Sequence, residues 1–267
     1  MDLAVKAAMG SSSLQQFAER TLVIIPAHNE AGSVAQVVTR LRALGFSRVR
    51  VVDNGSTDAT SENASAAGAE VVRETGIGYG LACWSGGCSM PGNVDWLLYA
   101  NADASDDYAA YETFAALAPG HDLIIGARTY TEDRDSMTMP QRFGNWLAPF
   151  LIQVFWRRKF ADLGPQRAIR VNAYQQLDLQ DRGFGWTVEM QVRAVEEGLK
   201  IIEIPVHTYP RIIGQSKISG NFRGSVMAGL IILSTIGQLV WRKWVRALHR
   251  RPVDSRQIKI EKTRSTI

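Results

Sequence analysis

Thr21-Leu22-Val23-Ile24-Ile25-Pro26-Ala27-His28-Asn29-Glu30 reads as a buried strand and its exit. Five β-prone residues run up to a proline, which cannot donate to a sheet ladder, and polar residues follow at the carboxyl end. A helical pattern comes next, from about Ala31 to Leu44, with Val34, Val37, Val38, Leu41 and Leu44 on one face. Arg48–Asp53, Ala69–Arg73 and Asp95–Tyr99 repeat the strand signal, with helical patterns between them. This βαβα series predicts an α/β fold with a mostly parallel sheet and helices on both faces. Ligands in such sheets collect beyond the carboxyl ends of the strands. Those ends carry His28-Asn29-Glu30, Asp53-Asn54-Gly55 and Asn101-Ala102-Asp103.

Downstream, Asp122–Arg128 predicts another strand and Gln141–Phe155 an aromatic-rich amphipathic helix ending in Trp156-Arg157-Arg158-Lys159. A short strand pair is expected around Ala161–Val171, then a helix over Thr187–Glu197 and a strand over Ile201–Val206. Neither an internal repeat nor a Pro/Ser-rich linker divides the chain. The 267 residues suit one sizeable core. The expected layout is a flexible lead over 1–20, the α/β domain over 21–218, an apolar helix over 219–250 and a basic tail over 251–267. The lead has no apolar run of signal-peptide length.

The net charge of +4 conceals an asymmetry. Residues 241–267 hold nine Lys/Arg against Asp254 and Glu261, so this end is +7 and the rest −3. The body is therefore not basic, which argues against nucleic acid as a partner. From Gly224 to Trp241 no charged residue occurs, a run near the minimum for spanning a bilayer, although Ser225, Ser234, Thr235, Gly237 and Gln238 weaken it. Trp241 and Trp244, interleaved with Arg and Lys, have the character of interfacial anchors. Three readings stay open for this helix: membrane-embedded or interfacial, an oligomer contact, or a core helix. The cysteines, Cys83 and Cys88, lack companions for a zinc site and are expected to be reduced thiols.

Ile24–Glu30, Val51-Val52-Asp53-Asn54-Gly55-Ser56-Thr57-Asp58 and Asn101-Ala102-Asp103 together resemble glycosyltransferase family 2 with its GT-A, Rossmann-like nucleotide-binding fold. Gly126-Ala127-Arg128, Gln141-Arg142-Phe143-Gly144-Asn145, Asp162-Leu163-Gly164-Pro165, Gly185-Trp186-Thr187-Val188-Glu189-Met190 and Gly214-Gln215-Ser216-Lys217 extend the likeness. They are similar to the branch of dolichol-phosphate mannosyltransferase and other polyprenyl-phosphate enzymes. The resemblance spans roughly Thr21–Gly220. It implies a nucleotide-sugar donor, UDP- or GDP-linked, and transfer of a hexose with inversion. It also implies a Mg²⁺ or Mn²⁺ cofactor and a lipid-phosphate acceptor at the cytoplasmic face of a membrane. A hydroxyl acceptor and a non-catalytic nucleotide-binding module are the alternatives.

By resemblance, Asp103 is the metal ligand and the centre of catalysis, since a cation can neutralise the diphosphate as it leaves. The family usually has two aspartates flanking one residue. Here the first is Asn101, which removes one negative charge and predicts weaker metal binding. Ser105 would be a poor second ligand, and Asp106 and Asp107 are expected at a helix start. Asp53 is implied to accept from the base, although Asp53-Asn54-Gly55 is also a good turn and Ser56 a possible N-cap. Pro26 and Ala27 would offer backbone contacts, with Asn29 and Ala102 also on the donor. Glu30 either binds ribose or favours the following helix N-terminus.

The loop Gly76-Ile77-Gly78-Tyr79-Gly80 follows the third strand, not the first, so it is not a dinucleotide fingerprint. Gly78 and Gly80 would let backbone approach the nucleotide. Arg128, Arg142, Arg211, Ser216 and Lys217 form the implied anion-handling set. Glu189 follows Thr187, a plausible N-cap, so a first-turn acid explains it without chemistry. Its family position makes it a candidate general base, which a hydroxyl acceptor needs and an ionised phosphate does not.

Overall fold

The computed structural model describes residues 12–128, 139–211 and 222–249, without the side chains of 139–145, 222–228 and 246–249. Helix α1 covers residues 12–19 and sends Leu14, Phe17 and Ala18 into the core. The Phe17 ring centroid lies 5.6 Å from that of Trp96. Residues 12–19 are thus no loose lead: apolar side chains at 14, 17 and 18 share one helix face and are buried there.

The order that follows is β1 (Thr21–Ala27), α2 (Val34–Ala43), β2 (Arg48–Asp53), α3 (Thr60–Ala66), β3 (Glu70–Arg73), α4 (Tyr79–Gly86), β4 (Trp96–Tyr99) and α5 (Ala110–Leu117). The second half gives β5 (Leu123–Ala127), α6 (Met139–Trp156), β6 (Arg167–Arg170), α7 (Val171–Leu177), α8 (Trp186–Glu196), β7 (Ile201–Pro205) and α9 (Phe222–His249). The seven strands form one sheet in the order β3-β2-β1-β4-β6-β5-β7. Pairing is parallel between β1 and β2, β2 and β3, β1 and β4, and β5 and β7. Strand β6 runs antiparallel to both its neighbours, β4 and β5. It stands alone where the sequence suggested a strand pair.

Pro26 lies inside β1, opposite Val52 of β2. In a parallel strand alternate residues address opposite neighbours. The Ile24 carbonyl accepts from Ala100 on the β4 side, so Pro26 also faces that side. There β4 pairs no further than Tyr99 opposite Ile24, and no ladder bond is lost.

Each face of the sheet is covered. Phe17, Val34, Val37, Leu41, Tyr111 and Phe114 pack on one side, from α1, α2 and α5, with Phe46 from the loop before β2. On the other, Cys83, Ile152, Trp186, Val188, Ile236 and Leu239 pack from α4, α6, α8 and α9. Thr235, Ile236 and Leu239 of α9 are buried, whereas Leu230, Trp241 and Trp244 are exposed. Helix α9 is therefore a core helix on one face. Among the described residues no helix is long and apolar enough to cross a membrane, which removes the spanning form of the membrane reading. Both cysteines are free, Cys83 buried and Cys88 partly so.

Candidate active site

The carboxyl ends of β1, β2 and β4 converge, and their loops are laced together by side chain to backbone bonds. Asn29, at φ 51°, accepts from the Thr57 amide on Oδ1 at 2.7 Å, and its own amide donates to Ser56 Oγ at 2.8 Å. The Glu30 amide donates to Thr60 Oγ1, and that of Ala31 to Asp58. His28 Nδ1 lies 2.9 Å from the Asn54 carbonyl. Ser56 thus ties the two loops together and does not cap α3, which is preceded by Ala59.

Past β4 the chain turns sharply. Asp103 Oδ1 accepts from the Ser105 amide at 3.0 Å and the Ser105 hydroxyl at 2.6 Å, and Ala104 between them sits at φ 61°. A left-handed alanine is sterically costly, so the turn that presents Asp103 carries local strain. Asp103 Oδ2 points the other way, to Arg211 Nη2 at 2.9 Å. Arg211 Nη1 is 3.6 Å from Glu30 Oε1. The segment after β7 brings Arg211 there: the Tyr209 amide donates to the Ser105 carbonyl, and that of His207 to Asp107.

Asp106 and Asp107 do not face this point. Asp107 Oδ1 accepts from the Ala109 amide just before α5. Asp106 is buried and takes both the amide and the Nδ2 of Asn101, at 2.8 and 2.7 Å. Burial pushes the Asp106 carboxyl up to about 7, with Asp103 adding repulsion and the Asn101 donors opposing it. The nearness of 106 to 101 comes from the tight turn, and a helix-start assignment alone would miss it.

At the carboxyl end of β2, Asp53 Oδ1 accepts from the Ser56 amide at 2.9 Å, and Oδ2 from the Ser61 hydroxyl. Burial works to raise this carboxyl, but the Ser56 and Ser61 donors outweigh it and hold it below the usual range. Each oxygen keeps lone-pair capacity for a further donor. Asn54 clasps the glycine loop, its Nδ2 donating to the Gly76 carbonyl and its Oδ1 accepting from the Gly78 amide.

The close approach at Gly78 and Gly80 is to the chain itself. A Cβ on Gly78 would overlap the Arg182 carbonyl, and one on Gly80 would lie 2.7 Å from that of Gly183. Gly80 and Leu81 also donate to carbonyls of this segment, those of Gly183 and Arg182. The glycines therefore seat the loop on residues 181–183, a long-range contact that local sequence could not reveal.

Arg128 makes a fork with Asp162, at 2.6 Å from Nε and 2.9 Å from Nη2, and its amide adds a third bond. Burial would raise Asp162, but the Arg128 charge and hydrogen bonds prevail and hold it below the ordinary carboxylate range. Glu189 is buried in the first turn of α8, where Oε2 accepts from the Gln180 and Asp181 amides at 2.9 and 2.7 Å. Thr187 lies within that turn and does not cap it. Arg167, not singled out from sequence, is fully buried and donates to the Gly164 and Thr187 carbonyls. Ser216, Lys217 and the Arg142 side chain lie outside the described residues.

Residues 22–177 match the model of Glycosyl transferase family 2. The chain belongs to this family. An uncharacterized glycosyltransferase of Mycobacterium tuberculosis is 34% identical over 209 residues, covering 77% of this chain and 93% of the relative. An undecaprenyl-phosphate mannosyltransferase of Micrococcus luteus is 28% identical over 224 residues, covering 79% and 92%. Among solved structures, glucosyl-3-phosphoglycerate synthase from M. tuberculosis has a TM-score of 0.60 at 20% identity, over 84% of this chain and 83% of that one. That structure holds Mn²⁺, UDP-glucose and phosphoglyceric acid. The likeness shows the GT-A fold, and the chain is a family 2 glycosyltransferase.

A divalent cation, implied by the family, fits the donor set here in one respect. Asp103 and Glu30 share a guanidinium, so the fold already directs positive charge to Asp103 Oδ2. Among the described residues no group of three or more His, Cys, Asp or Glu could hold a metal ion. Asp103 would therefore hold it together with oxygens that the donor brings.

Proposed function

We propose that this glycosyltransferase moves a hexose from a UDP- or GDP-linked donor to polyprenyl phosphate at the cytoplasmic face of a membrane, with inversion. Asp53 accepts from the base. Pro26, Ala27 and the Asn29–Glu30 turn flank the ribose, and Asn101, Ala102 and Asp103 meet the diphosphate. Arg211 and Lys217 offer positive charge, and Ser216 a hydroxyl donor, to the donor or acceptor phosphate. Bound Mg²⁺ or Mn²⁺, held by Asp103, would supply charge neutralisation of the departing diphosphate.

One observation carries the choice of acceptor. Glu189, the candidate base, is buried and its Oε2 is held by two backbone amides. A hydroxyl acceptor needs a carboxylate within reach of its proton, whereas a phosphate monoester, with a second pKa of about 6, is already largely ionised. A site with its acid turned to a structural task suits the ionised acceptor. Exposed Trp146, Phe150 and Val154 on α6, and Trp241 and Trp244 on α9, support contact with the interfacial layer of a bilayer.

The deciding experiment incubates purified protein with a panel of nucleotide sugars, with and without polyprenyl phosphate, and assays donor hydrolysis and glycolipid formation. Lipid-dependent transfer is the expected result. Turnover with hydroxyl acceptors alone would reject the lipid-phosphate reading, and metal-independent nucleotide binding without turnover would point to a binding module. Flotation with liposomes, comparing the chain with a Trp241→Ser, Trp244→Ser variant that leaves the buried face of α9 intact, tests the membrane contact. Equal behaviour of the two would reject it.

A further inference from the structure

We infer that Asp106 is a positioning residue that forms a transposed pair with Asn101: the acid absent from position 101 sits behind it at 106 and sets which end of the carboxamide faces the site. Asn101 Nδ2 donates to Asp106 Oδ1 at 2.7 Å and to Ser105 Oγ at 3.4 Å. The Asn101 amide completes the clasp on Asp106 Oδ2 at 2.8 Å. Asp106, 4% exposed, thus accepts on both oxygens, the backbone amide on one and the carboxamide nitrogen on the other. It therefore fixes the carboxamide with nitrogen inward and Oδ1 outward, and no described residue donates to that Oδ1. Tyr111, whose hydroxyl lies 3.5 Å from Asp106 Oδ2, packs behind the pair.

The pairing explains why asparagine stands where two-acid motifs have an aspartate. An aspartate at 101 would put one carboxylate against another at about the present 2.7 Å, in a buried turn. Two such groups cannot both ionise. Asparagine at 101 is thus the complement of Asp106, and the pair carries one negative charge in either arrangement. Exchanging the two residues would keep the bonds between them and lose only the long one from position 101 to Ser105, whose hydroxyl proton already goes to Asp103. The carboxamide then at position 106 would accept the backbone amide of residue 101 on its oxygen. Its nitrogen would donate to the carboxylate then at position 101, whose outer oxygen would face the site. The metal part of this inference rests on the proposed cation at Asp103; the pairing does not.

The experiment compares wild type, Asn101→Asp, Asp106→Asn and the double exchange in two measurements on the purified chain. In metal-free thermal unfolding, each single substitution is expected to lower Tm by roughly 5 °C, the size of a mismatched buried polar pair. The double exchange should recover most of that loss. In Mn²⁺ titration without nucleotide, the double exchange should bind about tenfold more tightly than wild type, because full charge now faces the ion. Additive losses of Tm in the double variant would overturn the pairing. Recovered Tm with unchanged Mn²⁺ affinity would overturn the outward placing of the 101 oxygen. Asp103→Ala serves as the control: if it binds Mn²⁺ as wild type does, the cation reading of the site fails, while the Tm coupling still judges the pair.

Discussion

Arg211 reaches from beyond β7 to within 2.9 Å of Asp103 Oδ2, so a guanidinium already occupies the carboxylate oxygen proposed above to meet the ion. Both cannot hold the same oxygen in the same way. Removing the guanidinium in Arg211→Met should tighten Mn²⁺ binding of the nucleotide-free protein several-fold. The same variant should weaken binding of the nucleotide diphosphate, which loses a forked donor. Calorimetric titration of each ligand alone and of both together checks this. Unchanged Mn²⁺ affinity would mean that Arg211 does not compete.

Asp103→Ala should reduce transfer by about a hundredfold to a thousandfold, the scale seen when a main electrostatic stabiliser is removed. Nucleotide binding should survive in part through the Asp53 end. Single-turnover assays with and without chelator measure it. Full activity of the variant in excess chelator would rule out cation assistance through this residue.

The Arg128–Asp162 fork makes a prediction about pH. Breaking it in Arg128→Met leaves a buried carboxylate without its partner and should cost about 3 kcal/mol at neutral pH. In the wild type the folded value of Asp162 is depressed. Its contribution is therefore present above the unfolded value and lost as pH falls through the folded one. Without Arg128 the carboxyl is raised instead and protonates earlier. The stability gap between the two proteins should narrow as pH falls from about 7 toward about 4, where an unfolded aspartate begins to protonate, as urea denaturation at several pH values would show.

Gly164 admits no side chain, since a Cβ there would overlap the Gly126 carbonyl. Gly164→Ala must displace backbone and should cost about 3 kcal/mol or more. Gly92 has nothing within 4 Å of such a Cβ, so Gly92→Ala should stay within about 0.5 kcal/mol of wild type. Thermal unfolding of the two variants side by side gives the contrast.

Glu189→Gln replaces an acceptor of two amides with a group that can turn an NH₂ toward one of them. It should lower stability by about 1–3 kcal/mol. If the acceptor is an ionised phosphate, the folded fraction should keep turnover close to wild type. A collapse of turnover in a folded, nucleotide-binding variant would assign Glu189 the role of base and favour a hydroxyl acceptor.

The first half of the fold was legible because β1 to β4 are short apolar runs separated by helices with clear apolar stripes. Asp103, Glu30 and Asp53 could be placed at strand ends for the same reason. What sequence hid was long-range. Nothing local to Asp162 shows that Arg128 binds it, and nothing near Gly80 shows residues 181–183 against it. Asp106 was legible as a polar residue before a helix, but its bond to Asn101 depends on the left-handed Ala104 between them. Strand β6 was blurred because its four residues, Arg-Ala-Ile-Arg, carry charge at both ends. Those charges find carbonyl partners only in the folded sheet, Arg167 with Gly164 and Arg170 with His121.

The central place of β6 has a consequence during synthesis. Residues 167–170 join β4 to β5, so a chain emerging amino end first carries five strands with the one between β4 and β5 missing. Strands β4 and β5 wait as unpaired edges, the state in which intermolecular pairing is most dangerous. Sheet closure must await the emergence of β6 from the ribosome, and holding chaperones would act on the nascent intermediate before then. A chain truncated before residue 167 would expose the same edges permanently, and should aggregate where the whole chain folds.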